Sequence, residues 1–512
     1  MPKTFYVTTP IYYVNDVPHI GHAYTTISAD VIARFKRLKG DQVFFLTGTD
    51  EHGQKIERTA RNSGEEPIEL ADRVVLRFKN LWEKLNITNN DFIRTTEERH
   101  KKAVEEVFQR IEGQGDIYLG EYEGWYDVRN EAFITETQLE EYMSLPESSR
   151  PAIERVKEES YFFRLSKYQE QLLDFYEKNP DFIQPSYRSN EVIRFVEGGL
   201  KDLSISRTSF SWGIPVPGNP KHVIYVWFDA LTNYLTAVGF PNDMETFNEV
   251  WPADIHLVGK DILRFHAVYW PAFLMSAGLR LPRKVFAHGW WTVEGEKMSK
   301  SLGNVVDPFK VADEFGVDVF RYFLLKEIPF GQDGDFSRNA IIGRINGELA
   351  NGLGNLVSRS LGMIEKYSSG KVPEHTSLEP SDENVKERAI QTVQQVEDAI
   401  NEIAFHKALT AIWDFIASVN KYVDESAPWS LAKTGKRERL ATVLCTLVES
   451  IRVIAILIYP FMPKSAEKIW KKIGMPQPLE SQHFSHAKEW GEIKSGWQID
   501  KGESLFPRYQ DK

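Results

Sequence analysis

The sequence predicts an α/β protein, with a doubly wound parallel sheet split by an inserted domain and followed by an all-α helical bundle. Three observations predict it. A strand–helix–strand unit of the usual length opens the chain, and a second set of such elements begins only after residue 212. Beyond about Asn339 the strand-like segments stop and helical ones continue.

Thr4 to Thr9 is a run of aromatic and β-branched residues, which suit a pleated, half-buried surface. A proline-containing loop follows, and then a helix from about His22 to Lys39. That helix carries Ile27, Val31, Ile32, Phe35 and Leu38 on one face. Gly40-Asp41 ends it, and Val43 to Leu46 reads as a buried strand. Downstream, Val223 to Phe228, Ile255 to Val258 and Lys284 to Ala287 read as further strands, with helices through Tyr234 and through Phe265, Val268 and Trp270. Short strands, acidic helices and turns occupy Gly115 to Ser211. The expected division is a Rossmann-type catalytic domain in two halves, 1–114 and 212–338, an inserted domain at 115–211, a helical domain at 339–475 and a surface-packed tail at 476–512.

Composition narrows the class. The chain has 512 residues, 42% hydrophobic, enough for a sizeable core without covalent staples. Its one cysteine, Cys445, excludes an intramolecular disulfide and a cysteine-rich zinc cluster, and it reads as a buried thiol in a reducing compartment. Met1 to Val7 lacks the pattern of a signal peptide, and the apolar run Val453 to Met462 contains Pro460 and is too short to span a bilayer. A cytoplasmic protein without a membrane partner is expected. The net charge of −11 is no signature of nucleic-acid binding, yet a few basic patches can hold a large polyanion on an acidic protein.

Two segments carry chemistry. His19-Ile20-Gly21-His22 stands where the first helix begins, and a helix N-terminus offers free N–H donors to a phosphate. Two imidazoles can donate to charge developing on a phosphoryl group, and Gly21 leaves room for a flat base. The four residues alone fit small-molecule nucleotidyltransferases equally well. Lys297-Met298-Ser299-Lys300-Ser301 lies in a polar loop after a late strand. Its two lysines form a cationic clamp suited to β- and γ-phosphates and to departing pyrophosphate. Such a loop, beyond a strand's carboxyl end, is where ligands bind in these sheets.

Together, on a split sheet followed by a helical bundle, these motifs resemble the class I aminoacyl-tRNA synthetases from Thr8 to about Trp470. Four segments resemble the methionyl members of that class: Pro10 to Asn15, Leu46 to Gly53, Tyr225 to Ala230, and Gly259-Lys260-Asp261-Ile262 through His266. An unbranched thioether suits an aromatic slot, because sulfur packs favourably on rings. Tyr13, Trp227 and Phe265 supply rings, Ile11, Ala230 and Tyr234 stand beside them, and His266 closes the slot. Taken singly, each aromatic is better explained by core packing, and only the shared placement and the resemblance reverse that.

The resemblance further implies that Asp50 pairs with the substrate ammonium, and that Asn15, Lys260, Asp261 and Ser299 belong to the ATP side with His19, Gly21, His22, Lys297 and Lys300. By the same resemblance Arg207 assists adenylate formation or transfer. Asn355, Arg359, Pro428 and Trp429 match anticodon-reading positions, where stacking and hydrogen bonds to splayed bases are the means of recognition. The implied reaction uses methionine and ATP with Mg2+ to charge tRNA(Met), elongator and initiator alike.

This sequence departs from the family in its inserted domain, where Asp127 and Asn130 stand in place of zinc-binding cysteines. No structural zinc, and no other protein-bound metal, is expected. The length leaves no room for the dimerising C-terminal domain of some relatives, so a monomer is expected. The leucyl, isoleucyl and valyl branches would need a large editing insertion, and the cysteinyl branch needs zinc cysteines.

Overall fold

The run that opens the chain forms strand β1 (Thr4–Tyr13), longer than its pattern indicates. The loop expected at Pro10 is part of this strand. Its register against the next strand shifts between Thr8 and Ile11, and a proline, having no N–H for the ladder, is tolerated at such a bulge. Helix α1 (Ile20–Leu38) begins two residues before the expected His22, because His19 caps it. Strand β2 (Gln42–Asp50) and strand β3 (Asp91–Arg94) complete the first half of the sheet. The structure, a computed structural model, describes residues 3–15, 17–127, 132–134, 136–145, 150, 152–298, 304–374 and 377–510.

The parallel sheet has six strands, in the order β3, β2, β1, Ile255–Gly259, Val285–His288, Ile183–Gln184. The winding reverses between β1 and Ile255–Gly259. A crevice opens at the carboxyl ends of such a pair, which is where ligands of open α/β sheets bind. The segments beginning at His19 and at Lys260 both start there.

The expected strand Val223–Phe228 is corrected by the structure. The strand is Asn219–Ile224, it pairs antiparallel with Ser206–Arg207 and Pro215–Val216, and it lies outside the parallel sheet. Val226–Thr236 is a helix, buried at every position but Trp227. A helix buried all round shows no amphipathic period, so its apolar run is indistinguishable from a strand by pattern.

Within 115–211, strands Ile117–Asp127 and Ile153–Phe163 form a long antiparallel ladder with Ala132–Ile134 and Leu203–Ser204 at its edges. The chain rejoins the parallel sheet at Ile183–Gln184, inside the stretch assigned to the insertion. Two residues of edge strand leave no readable pattern.

From Arg338 to Lys472 the ordered elements are helices. One of them, Arg437–Ile458, is long and apolar enough to cross a membrane, and 89% of its apolar window is buried inside the bundle. The bundle is joined to the sheet domain through charge. Asp30 of α1 accepts from Arg34 Nε at 2.8 Å and from Arg321 Nη2 at 2.7 Å, and Arg321 also donates to the Phe461 and Pro460 carbonyls. The tail packs across both parts, with Phe484 edge-on to Phe35 and buried Arg452 donating to the His486 carbonyl.

Candidate active site

His19 and His22 stack with ring centroids 3.8 Å apart at the start of α1. Their orientation follows from the cap. His19 Nδ1 accepts from the Gly21 N–H at 3.1 Å, and His22 Nδ1 accepts from the His19 N–H at 3.1 Å. An imidazole whose Nδ1 accepts carries its proton on Nε2, so each ring presents an Nε2–H donor. Burial, with His19 beside it, holds His22 well below the usual histidine pKa, and its ring is neutral at pH 7. Gly21 has a reason beyond room for a base, since a Cβ there would come within 2.9 Å of the His19 ring.

The chain on either side of the lysine-rich loop is placed by its neighbours. Glu296–Lys297 pairs with the strand Trp291–Val293, and past the loop the Val306 carbonyl accepts from the Ile20 N–H at 3.2 Å. Both ends of the loop are therefore anchored, the second one at the N-terminus of α1. Ser299, Lys300 and Ser301 lie outside the described residues, and for Lys297 only the backbone is described.

Beyond strand Ile255–Gly259, Lys260 Nζ reaches both carboxylate oxygens of Asp333, at 2.7 and 2.6 Å, and lies 4.1 Å from the centre of the Trp290 ring. The Trp290 indole N–H donates to Asp261 Oδ1 at 3.0 Å. Motif reading missed Trp290 and Asp333, because nothing local links positions so far apart in the chain. Asn15 follows β1 on the same crevice.

A second cluster forms an aromatic slot. Trp227 and Phe265 stack at 3.7 Å with 11° between planes, and the Trp227 indole N–H is buried without a hydrogen-bond partner among the described residues. Phe265 and His266 sit on a π-helical turn, Phe265–Tyr269, a distortion common at functional sites. His266 Nδ1 can only donate to the Ile262 carbonyl, at 3.0 Å, so its Nε2 accepts from the Tyr234 hydroxyl at 2.8 Å. Burial pushes the His266 pKa down to about 4, so this polar pair is uncharged at pH 7. Ala230, 6% exposed, lies on the same helix as Trp227 and Tyr234. Tyr13 and Asp50 are register partners at the ends of β1 and β2, and Ile11 packs against the same core as Trp227. Asp50 is 4% exposed.

Arg207 is buried in the strand Ser206–Arg207, with its guanidinium 4.5 Å from the Tyr225 ring centre and a hydrogen bond to the Ser204 hydroxyl at 2.9 Å. Tyr225 opens the helix that carries Trp227, so Arg207 borders the slot through it. The structure pairs His52 with Asp229, two buried residues of the segments Leu46 to Gly53 and Tyr225 to Ala230 to which motif reading gave no role.

In the bundle, Asn355 and Arg359 lie one helical turn apart on Asn355–Ser368. Arg359 donates to Asp424 at 2.6 Å and sits 5.9 Å from the Trp429 ring centre. Trp429 is 46% exposed and follows buried Pro428 at the start of a short helix. Of the expected anticodon residues, Arg359 and Trp429 thus meet at the surface, Asn355 lies one turn from Arg359, and Pro428 is buried.

Asp127 is buried at the end of strand Ile117–Asp127, while Asn130 lies outside the described residues. Among the described residues no group of three or more His, Cys, Asp or Glu side chains is placed to hold a metal ion.

The family described as tRNA synthetases class I (M) matches residues 5–152 and 137–361, and the anticodon binding domain of methionyl tRNA ligase matches 372–512. The chain is 52% identical to a methionine–tRNA ligase of Halalkalibacterium halodurans, over 99% of this chain and 78% of that one. It is 54% identical to one from Caldanaerobacter subterraneus, over 99% and 79%. A solved Mycobacterium tuberculosis methionyl-tRNA synthetase in complex with methionyl-adenylate superposes with a TM-score of 0.94 at 48% identity, covering 99% of this chain and all of that one.

Proposed function

The chain belongs to the methionyl-tRNA synthetases of class I, and from that membership we propose how its residues divide the work. It is an ATP-dependent ligase that activates methionine as methionyl-adenylate and charges tRNA with it. The observation that carries the assignment of roles is the pair of Nε2–H donors at the sheet's switch point, beside an uncharged aromatic slot.

A methionine carboxylate oxygen attacks the α-phosphorus of ATP, the bond from that phosphorus to the bridging oxygen breaks, and pyrophosphate leaves. Such catalysis is mostly positioning and charge stabilisation. His19 and His22 donate to the phosphoryl oxygens as charge builds. Lys297 and Lys300 hold the β- and γ-phosphates, with Ser299 beside them, and ATP enters as its Mg2+ complex. Lys260, Asp261, Gly21 and Asn15 line the nucleotide side. Asp50 takes the methionine ammonium, and Ile11, Tyr13, Trp227, Ala230, Tyr234, Phe265 and His266 enclose the thioether. A neutral His266–Tyr234 pair suits an uncharged sulfur, because a charged group there would be desolvated with nothing to compensate it. Arg207 assists adenylate formation or transfer to the terminal adenosine of the tRNA.

In this scheme the chain divides into two catalytic halves, an inserted domain, a helical domain and a tail, with Asn355, Arg359, Pro428 and Trp429 reading the anticodon of tRNA(Met), elongator and initiator alike. The protein works as a cytoplasmic monomer and needs no structural zinc.

ATP–pyrophosphate exchange with each amino acid in turn, without tRNA, tests the reading. Exchange with methionine alone is expected, and exchange driven by another amino acid would overturn the slot. Trp429→Ala is expected to weaken tRNA charging by the loss of one stacked base, about 1–3 kcal/mol, while methionine-driven exchange stays unchanged. Equal loss in both assays would make the indole structural.

A further inference from the structure

Asp229 lies in the first turn of helix Val226–Thr236, between Trp227 and Ala230, and is fully buried. The reaction above gives its carboxylate no part, and burial disfavours its charge. It is held by two buried imidazoles. Oδ2 is 2.7 Å from His52 Nδ1, and Oδ1 is 2.7 Å from His100 Nε2. Burial raises its pKa, but the two histidines outweigh that and leave it below the usual carboxylate value. An ionised carboxylate only accepts, so His52 donates to it through Nδ1.

His52 stands two residues beyond Asp50, and the turn that contains both is fixed from several sides. Glu51 accepts from Arg94 at 2.7 and 3.0 Å, its N–H donates to the Thr95 hydroxyl at 2.9 Å, and its carbonyl accepts from the Trp212 indole. The Gly53 N–H donates to the Trp212 carbonyl at 3.0 Å. These contacts set the turn on the sheet. The Asp229–His52 bond sets it against the helix that carries Trp227 and Ala230.

The geometry points to Asp229 as a positioning residue for the methionine ammonium: through His52 it holds Asp50 at a fixed spacing from the thioether slot on its own helix. This rests on the assignment of Asp50 to the ammonium. A substrate gripped at both ends needs those ends in register, and the Asp229–His52 contact is a direct link between the two segments that supply them. Loss of mere packing would weaken every ligand of the slot alike. Loss of this spacing weakens only ligands that carry the ammonium.

The test compares calorimetric affinities of the full chain for methionine and for its deamino analogue, which lacks only the ammonium. Asp229→Asn is expected to lower the preference for methionine over the analogue by roughly tenfold, the scale of one hydrogen bond to a charged group, with the KM for ATP unchanged. His52→Asn, whose amide N–H stands near the place of Nδ1–H, keeps the preference, and His52→Ala loses it. Equal weakening of both ligands in Asp229→Asn, or weakening of neither, overturns the proposal. Should Asp229→Asn fail to fold, the His52 pair decides: preference lost in His52→Ala and kept in His52→Asn supports the link, and any other pattern overturns it. Asp50→Asn separates the two claims. If it leaves the preference intact, the assignment of Asp50 is wrong; if it abolishes the preference while Asp229→Asn does not, the positioning role alone falls.

Discussion

His22→Asn is expected to slow methionyl-adenylate formation by about 10²–10³-fold, the usual loss when one preorganised donor to a developing oxyanion is removed, with little change in stability. The separation is possible because the two ring nitrogens have different tasks. Nδ1 accepts from the His19 N–H and closes the cap of α1. Nε2–H is the donor left for a phosphate. An asparagine oxygen stands near the place of Nδ1 and keeps the cap, but nothing replaces Nε2–H. His22→Gln restores a donor near the place of Nε2, and a glutamine at N3 can also reach back to the His19 N–H as in an ordinary capping box. Single-turnover pyrophosphate release and thermal unfolding of both variants provide the check. Slow chemistry in the first and partial activity in the second, both with near-normal stability, is the expected pattern. Equal rates in both would remove His22 from the chemistry. Because burial keeps the ring neutral, the donor is present without protonation, and titration of His22 adds no gain in rate as pH falls from about 8 to 6.5.

What the sequence made legible was what is written locally. The strand-to-helix junction at His19 and the turn after Gly259 could be placed because each follows a short apolar strand, and the sheet order then brings both to one crevice. The helix Val226–Thr236 was misread as strand for the opposite reason, since burial on every side erases the period that would reveal it. Pro10 suggested a loop, but a bulge absorbs it within β1. The links that complete the site span long separations: Asp229 to His52 across 177 residues and Lys260 to Asp333 across 73. No periodicity or motif spacing encodes a contact of that kind. It exists only once the fold has brought those segments together. The stacked pair Trp227 and Phe265 shows the intermediate case, where each ring was expected in the slot and their face-to-face contact required the fold.

Asp30→Asn is expected to destabilise the protein by about 3–5 kcal/mol, read as a lower urea midpoint at pH 7, because it strands two buried cations. Asp30, Arg34 and Arg321 are all buried, and the latter two donate to Asp30 at 2.8 and 2.7 Å. Burial alone would raise the Asp30 pKa, but Arg34 and Arg321 outweigh it and hold the carboxyl down at about 2. Burial pushes Arg321 down, yet a guanidinium remains charged at neutral pH. Since the folded pKa lies below the unfolded one, the contribution of Asp30 is complete above about pH 4 and is lost only as pH falls toward 2. Acid unfolding should therefore begin earlier, through other groups. Half-buried His22 and buried His256, His266 and His288 have lowered pKa values, so the unfolded chain takes up their protons first and stability falls from about pH 6.5 downward. The variant should show a smaller stability at every pH above 4 and a loss between 6.5 and 4 of the same size as in the unaltered chain. Adding Arg321→Met removes one of the stranded cations and should return part of the loss. A double variant less stable than Asp30→Asn alone would mean that Arg321 holds the bundle through its carbonyl contacts at Phe461 and Pro460, and that its pairing with Asp30 is incidental.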